Sequence, residues 1–122
     1  MLEAYARAQV FVLTAHGEWD LATAPAMPHL LVAGTSGLWP VVTVDLGDVT
    51  FLDPAGARPL RAAAIRAHEA GIRFFLVHPT EPVNRVLTIC GLGPHVVPVE
   101  QLPKRQELLD LFAPTRVPPQ HA

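Results

Sequence analysis

Residues 41–71 decide the fold, and they read VVTVDLGDVTFLDPAGARPLRAAAIRAHEAG. Val41 to Leu46 is a short run rich in β-branched side chains, which is typical of a strand in a sheet that is covered on both faces. Val49 to Leu52 is a second apolar run, and it leads directly to Asp53. This half of the segment therefore predicts β structure that ends at Asp53.

After Asp53 the spacing of the apolar residues changes from that of a strand to that of a helix. Charged residues lie between apolar ones that recur every three or four positions, which is the pattern of a surface helix. Gly71 supplies the stop, because glycine is common just past the last residue of a helix. We therefore predict strand, turn and helix in succession, and the apolar side of the helix carries Leu60, Ala64 and Ala67.

The dipeptide Asp53-Pro54 marks the start of this helix. An Asp at the N-cap accepts hydrogen bonds from the free N–H groups of the first turn, and Pro is favoured just inside a helix start. Pro59 conflicts with a helix that begins at Pro54, since an internal proline costs about 3 kcal/mol or more. Either the helix kinks at Pro59, or residues 55–58 are irregular and the regular helix begins at Pro59, which is the interpretation we favour.

The rest of the chain adds strands and helices in alternation. A turn is predicted at His16-Gly17, and the further strands are Met1–Tyr5, Val10–Thr14, Arg73–Val77 and His95–Val99. The last of these is placed at a sheet edge, because Pro98 cannot donate a backbone hydrogen bond. The order implies an α/β fold in which helices pack on a mixed sheet.

Three further helices are predicted from caps and stops. Thr23 caps a short helix that Gly34 ends, and Thr80 caps a helix that Gly91 ends. The last helix covers Pro103–Phe112. The helix after Thr80 has its apolar face at Val83, Val86, Leu87 and Cys90.

Composition and charge narrow the classes of function. With 122 residues the chain is expected to form one domain over 1–112, followed by a disordered, proline-rich tail over 113–122. A formal net charge of −2 gives no electrostatic reason to expect a nucleic acid or an anionic membrane as partner. No apolar run approaches the ~20 residues of a membrane span, and the single Cys90 fits a reducing cytoplasm.

Two segments carry a family resemblance. GEWDLATAP at Gly17–Pro25 and VDLGDVTFLDPAGARPLRAAAIRAHEAGIRFFLVHPTEPVNRVLTICGL at Val44–Leu92 resemble the N-terminal motif and the core of the STAS domain. This is the fold of bacterial anti-sigma factor antagonists, and the likeness extends from about Val10 to Val99. It implies an α/β fold with a mixed four- to five-stranded β-sheet and about four helices packed against it.

The resemblance also implies where the chain acts. In this family the helix after the third strand and its N-terminal loop bind the partner, which is an anti-sigma factor of the kinase type. A non-catalytic, protein-binding domain is therefore expected, with Arg58, Arg61 and Arg66 facing an acidic patch on the partner. The residues implied for the contact are Asp20, Asp53, Pro54, Ala55, Gly56, Ala57, Arg58 and Arg61.

Regulated members of the family carry Asp-Ser-Ser/Thr-Gly at this turn, and the first hydroxyl is phosphorylated. Here Pro54 and Ala55 occupy the two hydroxyl positions. Neither side chain has an oxygen, so we predict no phosphorylation at the turn. Ser36 lies in a loop elsewhere and Thr50 belongs to the predicted strand, so a replacement acceptor is not expected at either.

The residues give little support to catalysis, a metal or a cofactor. Asp20 and Asp53 invite comparison with an acid/base pair, but no nucleophile or oxyanion site accompanies them. The six histidines form no i, i+3 or i, i+4 pair and no second cysteine joins Cys90, so no metal site is expected. We expect neither enzymatic activity nor a cofactor.

Two alternatives to an anti-sigma factor antagonist stay open. The chain can be an accessory or scaffold STAS subunit of a transporter or of a multi-protein stress complex. It can also be a STAS module that senses a small ligand in the cleft between sheet and helices. With each of these functions, the chain can be a monomer or a homodimer.

Overall fold

A computed structural model of the chain describes residues 2–7, 10–23, 28–98 and 116–117, and it describes the backbone alone at 2–7, 28–30 and 116–117. The strands are β1 (Leu2–Arg7), β2 (Val10–Trp19), β3 (Val41–Leu52), β4 (Arg73–Val77) and β5 (Arg116–Val117). The helices in this part of the chain are α1 (Pro28–Gly34), α2 (Pro54–Glu69) and α3 (Glu81–Ile89).

The sheet has five strands in the order β4-β3-β2-β1-β5. β2, β3 and β4 are parallel neighbours, whereas β1 is antiparallel to both β2 and β5. The predicted α/β fold with a mixed sheet is thus confirmed. β5 falls within the segment predicted as a tail, and the helix predicted at 103–112 lies outside the described residues.

One face of the sheet and the helices form the core. Alternate residues of the parallel strands are buried there, because a strand directs successive side chains to opposite faces. They pack with the predicted apolar side of α2 and with Val83 and Leu87 of α3, while Val86 and Cys90 are partly buried against this cluster. The strand residues are Phe11, Leu13, Val42, Val44, Phe74 and Leu76.

The predicted turn at His16-Gly17 is wrong, because β2 continues to Trp19. The pairing of β2 with β3 is irregular at this point instead. Thr14 pairs with Asp45 but His16 pairs with Asp48, and a second register shift follows Gly17. Both shifts place an additional residue on β3, as in a β-bulge. Gly17 has a φ of 80°, a conformation that glycine adopts without steric cost.

The strand predicted at His95–Val99 does not form over its described part. Gly93–His95 is a 3₁₀ turn, and Val96 makes an isolated bridge with Leu76. Pro94 and Pro98 lack the N–H groups that a strand would need on either side of this bridge. The chain therefore touches the edge of β4 and does not extend the sheet.

The favoured start of the central helix at Pro59 is also wrong, because α2 runs continuously from Pro54 to Glu69. Pro59 removes only the hydrogen bond that residue 59 would donate to the carbonyl of Ala55. The first turn is regular, since Ala57 N–H donates to the Asp53 carbonyl at 3.0 Å. Burial of Ala57 and Leu60 against the sheet offsets the lost bond.

Candidate functional site

The carboxyl ends of β2 and β3 lie side by side, because Trp19 pairs with Leu52. Asp20 follows the first of these strands and Asp53 follows the second. The parallel pairing therefore brings the two predicted acids to one edge of the sheet, at the point where α2 begins.

Asp53 is the N-cap of α2, as predicted. Its backbone is extended, with φ −118° and ψ 174°, and its Oδ1 accepts a hydrogen bond from the Gly56 N–H at 2.8 Å. Pro54 is the first residue of the helix, where its missing N–H costs nothing. The carboxylate thus fixes the direction in which α2 leaves the sheet.

Gly56 permits an unusually close contact between the start of α2 and the end of β2. A Cβ at this position would lie 1.9 Å from the carbonyl oxygen of Trp19 and 2.3 Å from its carbonyl carbon. The same oxygen accepts a hydrogen bond from the Asp53 N–H at 3.2 Å. The strand end and the helix start are therefore joined through one carbonyl group, and that junction requires glycine.

Asp20 organises the loop beside this junction. Its Oδ1 accepts hydrogen bonds from the N–H groups of Ala22 at 2.9 Å and Thr23 at 3.1 Å. The Thr23 hydroxyl accepts from the Asp20 N–H and donates to the Glu18 carbonyl, each at 2.9 Å. Thr23, predicted as a helix cap, closes this turn, and residues 24–27 after it lie outside the described part.

The predicted site residues fall into three groups by exposure. Pro54, Arg58 and Arg61 are exposed, while Asp20, Asp53 and Ala55 are half-buried. Gly56 and Ala57 are buried, so they support the surface and do not form part of it.

Arg66 does not belong to the freely exposed basic side of α2. Its side chain is half-buried, and its Nε–H donates to the Thr35 hydroxyl at 3.1 Å. The exposed basic residues of α2 next to the junction are Arg58 and Arg61.

Two large apolar side chains at this edge were not predicted as site residues. Leu21 is 72% exposed and Phe51 is 49% exposed. The extra residue on β3 between Val49 and Phe51 explains the second, because it leaves Thr50 and Phe51 exposed between the buried Val49 and Leu52. The apolar run from Val49 to Leu52 gives no sign of this bulge. Leu21 could have been predicted as exposed, because it is a single Leu in a turn beside Asp20.

We call the exposed and half-buried residues around the junction the α2-start surface. It combines apolar side chains with two arginines and with two carboxylates that accept backbone hydrogen bonds. Its members are Asp20, Leu21, Phe51, Asp53, Pro54, Ala55, Arg58 and Arg61.

The family model described as "Mlab, STAS domain" matches residues 4–98. The chain belongs to the STAS domain family. No curated protein matches the sequence at a significant level. In the part of the chain that the structure describes, none of the helices has the length and hydropathy needed to cross a membrane.

Solved structures share the fold of this STAS domain at low sequence identity. An anti-sigma factor antagonist from Mycobacterium paratuberculosis is 23% identical, with a TM-score of 0.71 and coverage of 93% of both chains. The unphosphorylated anti-sigma factor antagonist SpoIIAA, a Bacillus protein, is 14% identical, with a TM-score of 0.71 and coverage of 91% of this chain and 96% of that one. The murine anion transporter Slc26a9 is 20% identical, with a TM-score of 0.64 over 75% of this chain and 16% of that one.

We predict that Gly56→Ala lowers the free energy of unfolding by about 2 kcal/mol, a typical cost of overpacking. Alanine gains about 1 kcal/mol of helix propensity over glycine, but the new Cβ forces the first turn of α2 away from the Trp19 carbonyl. Urea denaturation followed by circular dichroism measures the difference.

Gly93→Ala is the matched control for this substitution. Its Cβ would lie 3.7 Å from the Thr88 hydroxyl oxygen, an ordinary contact, so we expect a change within about 0.5 kcal/mol. Equal effects at Gly56 and Gly93 would contradict the close junction.

Proposed function

We propose that this chain is a non-catalytic STAS domain that binds a protein partner through the α2-start surface, as an anti-sigma factor antagonist does. The partner class is an anti-sigma factor of the kinase type, and the single Cys90 suggests action in the cytoplasm. The observation that carries the proposal is the exposure of Leu21 and Phe51 beside a helix start that is fixed on the sheet.

The chemistry of the α2-start surface suits a protein partner. Large apolar side chains such as Phe51 supply most of the binding free energy when they enter a pocket on a partner. Arg58 and Arg61 are exposed and three positions apart on α2, so they share one side of the helix. They favour an acidic partner surface, which speeds encounter and sets orientation. An apolar anchor with a charged rim is the usual anatomy of an interface.

Catalysis has little support in this geometry. Asp20 and Asp53 each accept backbone hydrogen bonds through Oδ1, so both carboxylates have a structural task. STAS domains generally act as binding modules. The acids therefore shape the surface that a partner contacts.

Recognition is proposed to work without a phosphate at the helix start. Neither Pro54 nor Ala55 has a hydroxyl group. Ser36 uses its hydroxyl to donate to the Ala33 carbonyl at 2.8 Å, in the loop before β3. Thr50 lies within β3, as the sequence predicted.

A second candidate function is that of an accessory domain of a membrane transporter. The observation that favours it is the shared fold with a segment of the anion transporter Slc26a9. The same α2-start surface would then hold the domain on a transporter subunit. The identity of a captured partner separates the two functions.

We predict that Phe51→Ser reduces partner capture from native lysate by about tenfold or more, since an anchor at an interface contributes about 2 kcal/mol or more. The chain is immobilised as bait, and bound proteins are quantified by mass spectrometry. A captured kinase-type regulator supports the first function, and a captured transporter subunit supports the second.

Ile89→Ser is the matched control for the capture experiment, because Ile89 is 80% exposed but lies at the end of α3. It should leave capture unchanged. If Phe51→Ser captured as much partner as the wild-type chain does, the α2-start surface would not be the binding site.

We predict that a cognate anti-sigma kinase and ATP add no phosphate to residues 53–57 of the wild-type chain. Pro54→Ser places a hydroxyl at the helix start, where the free N–H groups and the helix dipole stabilise added negative charge. Intact mass and peptide mapping measure the modification.

The Pro54→Ser variant shows whether the kinase still contacts the turn. Phosphate on the variant alone means that the chain lacks only the acceptor, and an unmodified variant means that kinase contact has been lost. Phosphate mapped to residues 53–57 of the wild-type chain would refute the absence of a switch.

A further inference from the structure

The sheet has a second face, opposite the one that carries the core cluster and the three helices. Residues of β2, β3 and β4 that lie between the core positions belong to it, because successive side chains of a strand alternate between the faces. Four of them are almost fully buried: Val12 is 2% exposed, Thr14 3%, Asp45 0% and Val77 1%. The centre of the second face is therefore covered.

The described helices do not account for this burial. α1, α2 and α3 contribute Leu31, Leu60 and Leu87 to the core cluster on the first face. Val12 and Val77 are buried apolar residues, yet neither belongs to that cluster. Parallel strands occur almost only in sheets with both faces covered, so a further segment is needed on the second face.

The path of the chain identifies a segment that can reach the second face. Val96 bridges to Leu76 of β4, the strand at one edge of the sheet. Arg116 pairs with Tyr5 of β1, so β5 forms the opposite edge. Residues 99–115 therefore connect the two edges, and the first face between them is already occupied by the helices.

The connecting segment is long enough to cross a face of the sheet. Neighbouring strands are about 4.8 Å apart, so the distance from β4 to β5 is about 19 Å. The helix predicted at Pro103–Phe112 would be about 15 Å long. The residues on either side of it add up to about 3.3 Å each when extended, which is sufficient to complete the crossing.

The sequence of the segment has the pattern of a helix with one apolar side. At helical spacing Lys104, Leu108 and Phe112 follow one another along one side, whereas Gln106 and Asp110 lie on the other. Such a helix buries its apolar side on a sheet and leaves its polar side to solvent.

The direction of the crossing agrees with the charge on the second face. A chain that comes from the β4 edge brings Lys104 over β4 and β3 before Leu108 reaches β2. Asp45 lies on β3, and its buried Oδ1 accepts a hydrogen bond from the Gly47 N–H at 2.8 Å. A cation near a buried carboxylate favours its charged form, so Lys104 suits this part of the face.

We propose that residues 103–112 form a helix that docks on the second face of the sheet and covers Val12, Thr14, Asp45 and Val77. The occupant of this face is then the chain itself and not an external partner. The α2-start surface stays open, so partner binding does not have to displace the segment.

Methyl NOE spectroscopy on the full chain, with ¹³C-labelled Val and Leu methyl groups, tests the docking directly. We expect cross-peaks between the methyl groups of Leu108 and Val12. A mixture of two differently labelled preparations separates contacts within one chain from contacts between copies. Cross-peaks that arise only between copies would make a second copy the occupant, and absence of cross-peaks from Leu108 to Val12 would remove the segment from this face. Either result would overturn the proposal.

Leu108→Asp should lower Tm by about 10 °C, because a carboxylate replaces a buried aliphatic side chain. Gln106→Asp is the matched control: it introduces the same group on the polar side of the helix and should change Tm by no more than about 2 °C. Equal Tm values for these two variants would contradict the docking. Phe51→Ser should leave the Leu108–Val12 cross-peaks in place, so this proposal can fail while the proposed function stands.

Discussion

The contact between the Trp19 carbonyl and the first turn of α2 is the constraint on which the functional part of the molecule depends. One oxygen accepts the Asp53 N–H and also lies where the Cβ of any residue but glycine would be at position 56. The end of β2 and the start of α2 therefore behave as one rigid corner. Pro54, Ala55 and Arg58, at the start of α2, take their positions from this contact.

A corner built in this way is ready to bind before a partner arrives. Pro54 fixes its own φ, the Asp53 carboxylate satisfies the Gly56 N–H, and the Asp20 turn is closed by its own side chains. A surface that needs no ordering on binding loses less conformational entropy, which favours affinity. Shape and charge would then decide recognition, without a covalent change at the helix start.

The sequence predicted those features that follow from local rules. The cap at Asp53, the helical face of α2 and the stop near Gly71 depend on neighbouring residues, and each was found. The exposure of Phe51 depends on a bulge in the ladder between β2 and β3, and tolerance of Pro59 depends on burial against the sheet. The need for glycine at position 56 comes from the Trp19 carbonyl at the end of β2, so no local sequence pattern could predict it.

Amide hydrogen exchange at Asp53 and Gly56 tests the rigid corner most directly. Both N–H groups are hydrogen-bonded, one to the Trp19 carbonyl and the other to the Asp53 carboxylate. We expect the Asp53 amide to exchange as slowly as amides inside α2, because its opening requires the end of β2 to separate from the start of α2, and we expect the Gly56 amide to be protected as long as the Asp53 cap stays closed. Exchange as fast as that of Gly37, in the exposed loop before β3, would contradict this account.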